Sequence, residues 1–338
     1  MGNRSLRRRH EDSLAPLAPL KSDSDKRLVS RMIRRRRGPR LLVTALALLF
    51  AIAGTAIAAS LCARFLLLNA NRLGRQCSSG IGPRQGLSFG IVSCSDDLST
   101  VPHRSFHGMM QLVSPNKQRY AAMHGYGFID ASDVLDAERP PSWSKIKAVR
   151  KHLGSYDWIF WNDADSLVTN FAVTLEEVVS STLGDVKYED RPDLIITQDV
   201  TGFNAGMFFI RDSAWSRDFL NRWWNQTSHI KPFGESKSGD NDALKFLIQS
   251  MPAEERQKHI HVPRMQCLFN SYLWMPTWRN VYRLLVMTRM VWKGTYSTGD
   301  FMVHLAGVDN KKRWIHEFLK RAETSHKELL NLWTMTWL

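Results

Sequence analysis

The longest apolar run in the chain extends from Leu41 to Ala63 and contains no charged residue. A helix needs about 20 such residues to cross a bilayer. A basic segment of 40 residues precedes this run, whereas a cleaved signal peptide has a shorter apolar core close to its start. The pattern therefore predicts an uncleaved membrane anchor. The alternative, a buried core helix, would need a packing partner on every face.

Apolar periodicity resumes after a segment rich in Gly, Ser, Asn and Arg, residues 64–85, which we interpret as a stem. The predicted strands are Leu87–Ser93, Tyr126–Ile129, Trp158–Trp161, Asp193–Thr197 and Met207–Arg211. The predicted helices are a segment through Lys117–His124, Trp143–Leu153 with Ser142 as its cap, and Ala214–Trp224. Strands that alternate with helices predict an α/β domain with a mixed, mostly parallel sheet over residues 86–338.

The charge of the chain is concentrated beside the apolar run. Residues 1–40 carry 13 Lys or Arg and 4 Asp or Glu, which gives +9 of the total +14 and leaves +5 for the rest. The positive-inside rule then places this tail in the cytosol and the C-terminal part in a lumen or outside the cell, a type II topology. Because the basic residues adjoin the anchor, we expect them to meet membrane lipid headgroups rather than nucleic acid.

Three of the four cysteines, Cys77, Cys94 and Cys267, follow the predicted anchor, which contains Cys62. A lumenal location permits disulfides. An odd number allows one intramolecular pair with a free thiol, or an intermolecular bond through Cys77, and the sequence does not choose between them. Asn225-Gln226-Thr227 is a glycosylation sequon compatible with this compartment.

An aromatic, β-prone run beginning at Trp158 ends in Asp163-Ala164-Asp165. In an extended backbone alternate side chains share a face, so both carboxylates are expected to project to the same side. Hard oxygen ligands of this kind bind divalent cations and, through them, diphosphates. The motif is short, and a solvated loop is the other interpretation.

Five short motifs follow one another along the chain. They are Trp143-Ser144-Lys145, Asp163-Ala164-Asp165, the segment Gly202–Arg211, Asp240-Asn241-Asp242-Ala243-Leu244 and Val303-His304-Leu305-Ala306-Gly307. Their order and spacing resemble glycosyltransferase family 34, the galactosyl-, xylosyl- and mannosyltransferase family of fungal Golgi enzymes and of plant xyloglucan and galactomannan enzymes. The resemblance covers roughly Phe89 to Gly307.

This resemblance implies a GT-A fold, a Rossmann-like nucleotide-sugar-binding domain, in a Golgi membrane protein. It also implies a nucleotide-sugar donor of galactose, xylose or mannose, a glycan acceptor, Mn²⁺ and retention of the anomeric configuration. Asp163, Asp165 and His304 match the family's metal-binding positions. A mixed oxygen and imidazole ligand set suits Mn²⁺ better than Mg²⁺. Outside the family, a histidine like His304 is more often a hydrogen-bonded core residue.

Lys145 matches the family's lysine for the donor diphosphate, and Asp163 can also hold ribose. Lys311 and Lys312 are further candidate cations for the diphosphate, although they do not match the family's second lysine. Lys145 can equally be an exposed helix lysine, and Asp309 stands at the offset where the family has its second lysine. Asn204 and Gly206 match positions near the donor sugar, although a strand glycine can simply allow close packing.

Asp240, Asn241 and Asp242 match the acidic and amide motif near the donor sugar and acceptor, which makes them the candidate catalytic residues. Asp240 can alternatively cap a helix. Two alternatives remain for the whole chain: a GT-A transferase of another family, or a non-catalytic relative that binds sugars or scaffolds other Golgi enzymes. Homo-oligomers, or hetero-oligomers with other Golgi transferases, are possible partners.

Overall fold

The computed structural model describes residues 23–77, 86–96, 106–183, 190–235, 237, 239–275 and 277–321. Much of the predicted basic tail, residues 1–22, lies outside the described residues, as do residues 78–85 of the predicted stem. The chain divides into two compact units, Met1–Leu61 and Cys62–Leu338. Helix α1 (Asp23–Leu68) contains the apolar run. Its part from Leu41 to Leu68, with a mean hydropathy of 2.4, is long and apolar enough to cross a membrane.

The second unit is built around a six-stranded sheet in the order β2-β1-β3-β6-β5-β7. Its strands are β1 (Phe89–Ser93), β2 (Gly127–Asp130), β3 (Trp158–Asn162), β5 (Leu194–Asp199), β6 (Gly202–Arg211) and β7 (Ile260–His261). Strand β6 runs antiparallel to both of its neighbours, and the remaining pairs are parallel. The predicted α/β architecture with a mixed, mostly parallel sheet is confirmed.

Helices cover both faces of this sheet, and strands β1 and β3 are buried along their whole length. The helices are α2 (Met109–His124), α3 (Ser144–His152), α4 (Leu175–Leu183), α5 (Ala214–Trp224), α6 (Asp240–Ser250) and α7 (Ala253–His259). Successive residues of β3 point to opposite faces of the sheet and pack in different hydrophobic cores. Trp161 packs with residues of α3, α5 and α6, while Phe160 packs with residues of α2 and α4. Burial of each large apolar side chain contributes about 1.5–3 kcal/mol, which explains the aromatic composition of β3.

A three-stranded sheet in the order β4-β9-β8 adjoins the carboxyl end of β3. It consists of β4 (Ser166–Val168), β8 (Ser271–Tyr272) and β9 (Met302–His304). Pairing of β4 with β9 places Ser166 opposite His304, next to the turn that follows β3. Two short helices, α8 (Trp278–Val286) and α9 (Thr288–Gly294), connect β8 to β9, and residues 311–321 are also helical.

The predicted cap of the helix before β3 is wrong. Helix α3 begins at Ser144, after a 3-10 turn over Pro141–Trp143, and its N-cap residue makes no side-chain cap hydrogen bond. Ser142 instead donates its hydroxyl to Asp240 Oδ1 at 2.8 Å. Pro141 therefore starts a separate turn, which directs Ser142 toward α6.

Described residues of the predicted stem belong to the second unit and are bonded to its later residues. Arg75 forms a buried ion pair with Asp300 at 2.6 Å. Cys77 forms a disulfide with Cys267, which is 190 residues away in sequence, and Cys94 carries a free thiol. Of the pairings that the sequence left open, the structure has the intramolecular pair.

Candidate active site

The turn after β3 and the end of β9 bring two carboxylates and one imidazole together. Ligand atoms of Asp163, Asp165 and His304 all lie within 4.8 Å of one another. Asp165 and His304 are buried, while Asp163 is partly exposed. Asp163 and Asp165 share a side because the chain turns here, and not because it is extended as the sequence argument assumed. The three predicted metal ligands therefore meet at one point.

Backbone hydrogen bonds hold the three side chains in register. The Asp163 N–H donates to the Gly206 carbonyl at 2.8 Å, and the Leu305 N–H donates to the Asp165 carbonyl at 2.9 Å. A Cβ atom at Gly206 would lie 2.5 Å from His304 Cε1 and 3.0 Å from Asp163 Oδ2. Glycine at residue 206 therefore leaves room for the ligand cluster, which agrees with the interpretation of Gly206 as a close-packing position.

Hydrogen bonds fix the orientation of two asparagine amides near His304. Gly206 N–H donates to Asn204 Oδ1 at 2.9 Å, so the Asn204 amide nitrogen is the group that faces Asp199, at 3.0 Å. Asn270 in turn donates its amide nitrogen to Asn204 Oδ1 at 3.3 Å and to Thr197 Oγ1 at 2.8 Å. The remaining polar atom of Asn270, its amide oxygen, is therefore an acceptor.

That oxygen lies 2.8 Å from His304 Nδ1, so Nδ1 carries a hydrogen. The Nε2 atom of His304 is then the one that faces Asp165 Oδ1, at 3.3 Å. A neutral imidazole nitrogen and a carboxylate oxygen both present lone pairs, so they attract each other only through a shared cation or proton. This arrangement fits a metal site, in which the other ring nitrogen of a histidine ligand usually donates to a fixed acceptor.

Asp165 is the most strongly stabilised carboxylate of the cluster. Burial on its own would raise its pKa, but the ammonium of Lys311, which lies 2.5 Å from Asp165 Oδ2, outweighs this and holds the pKa well below its usual range. Lys311 also donates to the Leu305 carbonyl at 2.6 Å. The predicted diphosphate-binding lysine thus contacts a predicted metal ligand directly.

Lys145 is buried, so the alternative of an exposed helix lysine is wrong. Its ammonium lies 3.2 Å from Asp163 Oδ1, 3.1 Å from Asp240 Oδ2 and 3.1 Å from the Ala205 carbonyl. Burial opposes its charge, but Asp163 and Asp240 dominate and raise the pKa of Lys145 above its ordinary value. This lysine links the turn after β3 to the start of α6.

The start of α6 presents three polar residues in different environments. Gly239 is the N-cap residue, so the interpretation of Asp240 as a helix cap is wrong, and Asp240 is buried against Lys145. Asn241 Oδ1 accepts a hydrogen bond from the Ala205 N–H at 2.7 Å. The Asp242 side chain is 44% exposed and lies 3.8 Å from Lys245. Asp242 is the more exposed of the two carboxylates.

Lys117 is a part of the site that the sequence analysis missed. Its buried ammonium lies 3.0 Å from Ser93 Oγ and 3.1 Å from the Asp163 carbonyl, directly beside the turn that carries the ligands. Burial lowers its pKa to about 7, against the opposing effect of Asp165 and Asp163. Its spacing from Val113 and Tyr120 places Lys117 on the apolar face of α2. This spacing is visible in the sequence and could have indicated that Lys117 is buried.

The fold and the site define an α/β protein with a candidate divalent-metal centre at the carboxyl end of a central strand. The model of the galactosyl transferase GMA12/MNN10 family matches residues 91–184 and 181–314. The chain therefore belongs to this family of glycosyltransferases, and every predicted site residue lies within the matched region.

Similar proteins include a probable α-1,6-mannosyltransferase of Saccharomyces cerevisiae, 27% identical over 40% of this chain and 42% of the relative. An α-1,2-galactosyltransferase of Schizosaccharomyces pombe is 26% identical over 69% of this chain and 65% of the relative. The matches thus span less than two thirds of these relatives' own lengths. A glycosyltransferase that acts in glycosylation of the PBCV-1 major capsid aligns at a TM-score of 0.45 and 12% identity, covering 69% of this chain and 99% of that one.

Proposed function

We propose that this protein is a retaining, Mn²⁺-dependent glycosyltransferase that moves galactose, xylose or mannose from a nucleotide sugar to a glycan acceptor. The observation that carries the proposal is the convergence of Asp163, Asp165 and His304 at the end of β3, inside the region that matches the family. Ligands of open α/β sheets bind beyond the carboxyl ends of their strands, where this cluster lies.

The donor set supports a transition-metal cation such as Mn²⁺. Two carboxylates provide hard oxygen ligands, and the imidazole nitrogen of His304, directed at Asp165 by Asn270, provides a softer one. When bound, the cation would supply positive charge that neutralises the donor diphosphate as it leaves. Asp163, Asp165 and His304 are the residues that would hold it.

The surrounding residues hold these groups in place or supply further charge. In this proposal Lys145 fixes Asp163 and Asp240 relative to each other, since its ammonium contacts both carboxylates. Lys311, which contacts Asp165, provides a cation for the developing negative charge of the diphosphate. Preorganised charges of this kind stabilise a transition state without reorganisation during the reaction.

The start of α6 provides the groups for the sugar and the acceptor. Asp240 and Asn241 are engaged with Lys145 and the Ala205 N–H, so we assign them a positioning role. The half-exposed carboxylate of Asp242 remains available to the donor sugar or the acceptor hydroxyl. In a retaining transfer such a carboxylate stabilises the oxocarbenium-like centre while the acceptor attacks from the face of the leaving group.

We further propose that the protein is a single-pass type II membrane protein of the Golgi, with residues 1–40 cytosolic, residues 41–63 as the anchor and residues 86–338 as the lumenal catalytic domain. The apolar helix and the basic residues before it support this topology. The stem, residues 64–85, also stays a prediction. Two of its residues, Arg75 and Cys77, are bonded to Asp300 and Cys267 of the proposed catalytic domain.

The experiment that tests the proposal measures release of nucleoside diphosphate by the full-length protein. A panel of UDP- and GDP-sugars is offered with and without Mn²⁺, beside Asp165→Asn and, as a control outside the cluster, Asp212→Asn. We expect one donor to be turned over only with metal and only with Asp165 intact. Product stereochemistry, followed by NMR once an acceptor is found, tests retention. Folded protein without metal-dependent donor binding or turnover would favour the non-catalytic relative.

A further inference from the structure

Helix α8 presents an apolar face to solvent. Trp278, Tyr282, Leu285 and Val286 are 84, 58, 76 and 62% exposed. They occupy positions i, i+4, i+7 and i+8, which lie on one side of a helix. A contiguous exposed patch of large apolar residues marks an interaction surface, since scattered single residues are the norm elsewhere.

The charged residues around this face are basic. Arg279 and Arg283 lie on α8 itself, and Arg289 and Lys293 follow on α9. The sequence contains no Asp or Glu from residue 277 to residue 299. A helix with Trp, Tyr and Leu on one face and arginines beside them is typical of segments that lie in the interface of a bilayer.

The end of the apolar helix α1 is attached close to α8. The Leu68 carbonyl accepts hydrogen bonds from Ser297 Oγ at 2.9 Å and from the Thr298 N–H at 3.1 Å. Arg75 donates to the Trp292 carbonyl at 3.2 Å and to the Thr295 carbonyl, both at the end of α9. The seven residues of α9 span about 10 Å. Helix α8 is therefore linked, through α9, to the segment in which α1 ends.

We infer that this face of α8 inserts into the headgroup region of the bilayer in which the anchor is embedded. The apolar side chains enter the acyl boundary, and Arg279 and Arg283 bind headgroup phosphates. The occupant is thus lipid, rather than a glycan or a second copy of the chain. The inference rests on the membrane anchor of the proposed function and not on the transferase activity.

Attachment of α8 to the bilayer would fix the height of the active site above the membrane. Strand β8 precedes α8, and its Tyr272 lies beside His304 in the small sheet. Acceptors would then be presented to the site at a defined distance from the lipid surface.

The test uses the full-length protein in phosphatidylcholine nanodiscs with a photoreactive benzoylphenylalanine in place of Tyr282. The matched control carries the same group in place of Phe246, which is 51% exposed on α6. After irradiation, peptide mass spectrometry scores lipid adducts, and the same peptide map reports whether the Cys77–Cys267 disulfide is intact. The double variant Arg279→Gln and Arg283→Gln tests the role of the arginines.

We expect lipid adducts at residue 282 at least severalfold more often than at residue 246. The double arginine variant should give fewer adducts at residue 282 than the protein with both arginines. Hydroxyl-radical footprinting of the unsubstituted protein gives a second measurement. We expect Trp278 to be protected from oxidation in nanodiscs, although it is 84% exposed in the structure and Phe246 is only 51% exposed. Equal adduct yields at both positions, adducts to a second protein chain, or full oxidation of Trp278 would each overturn the inference. None of these readouts depends on donor turnover, so they are independent of the transferase proposal.

Discussion

Replacement of Asn270 by alanine perturbs the candidate metal centre without removing any of its ligands. In the protein, the buried amide oxygen of Asn270 accepts the Nδ1–H of His304 at 2.8 Å. Without this acceptor, Nδ1–H loses its partner and the ring can rotate or adopt the other tautomer. Nε2 would then no longer be held toward Asp165. We therefore expect weaker metal binding in a protein that remains folded.

The size of the effect follows from the lost contact. A buried donor left without a partner costs about 1–3 kcal/mol. Loss of an outer hydrogen-bond partner of a metal ligand typically weakens metal affinity by about 10–100-fold, or about 1.4–2.7 kcal/mol. The two estimates agree, so we expect the dissociation constant for Mn²⁺ to rise by about 10–100-fold in Asn270→Ala. Asn270→Asp retains an acceptor for Nδ1–H but loses the amide donations to Thr197 and Asn204, so its loss of Mn²⁺ affinity should be smaller than that of Asn270→Ala.

The assay is titration calorimetry with Mn²⁺ on the full-length protein in detergent. Asn170→Ala is the control, because Asn170 also makes hydrogen bonds through both amide atoms, with the Ala172 N–H and the Gly299 carbonyl, but contacts none of the three ligands. Thermal unfolding of each variant reports its stability separately. Unchanged Mn²⁺ affinity in folded Asn270→Ala, or equal losses in both asparagine variants, would refute the orienting role of Asn270.

Three further substitutions test the electrostatics and the covalent link. Lys145→Met leaves two carboxylates without their cation, so we expect a loss of about 3–5 kcal/mol in denaturant unfolding; a negligible loss would contradict the ion-pair account. The metal-free protein should gain stability from Lys117 as pH rises from about 7 toward 10.5, because only the unfolded state keeps that proton. In Lys117→Met, the slope of the unfolding free energy against pH should fall by up to about 1.4 kcal/mol per pH unit. An unchanged slope would contradict the shifted pKa of Lys117. Cys77→Ser opens a 190-residue loop and should cost about 2–5 kcal/mol, whereas Cys94→Ser leaves the loop closed; equal losses would argue against the disulfide.

The strands and most helices could be predicted from the sequence because their apolar residues follow a regular period. Helix Ala214–Trp224 has the predicted bounds, and the buried strand Trp158–Asn162 extends the predicted one by a single residue. Both elements bury large aromatic side chains, so the periodic signal is strong. Ser142 was misassigned because a proline pair can start a 3-10 turn as readily as an α-helix.

The meeting of His304 with the two aspartates could be predicted only from the order of motifs in the family. Strand β9 has three residues, and nothing in its local pattern indicates that it pairs with Ser166–Val168. The role of Asn270 could not be predicted at all. It depends on contacts with residues 34 to 73 positions away, and Asn270 lies just before a strand of only two residues, which gives no periodic signal.

The bonds between the predicted stem and the rest of the second unit also could not be predicted from the sequence. Arg75 and Cys77 lie in a segment without apolar periodicity, and their partners Asp300 and Cys267 are about 200 residues further along the chain. Single ion pairs and disulfides leave no pattern in a sequence. By contrast, the position of Lys117 on the apolar face of α2 was visible, and a lysine at such a position predicts a buried partner.

The central claim is that Asp163, Asp165 and His304 form a mixed oxygen and nitrogen metal centre. Pulsed electron paramagnetic resonance of Mn²⁺ bound to the full-length protein tests it most directly, since coupling to ¹⁴N reports an imidazole ligand. We predict a ¹⁴N signal in the natural protein, its loss in His304→Gln, and loss of Mn²⁺ binding in Asp165→Asn. Bound Mn²⁺ without nitrogen coupling, or with the same coupling in His304→Gln, would contradict the account.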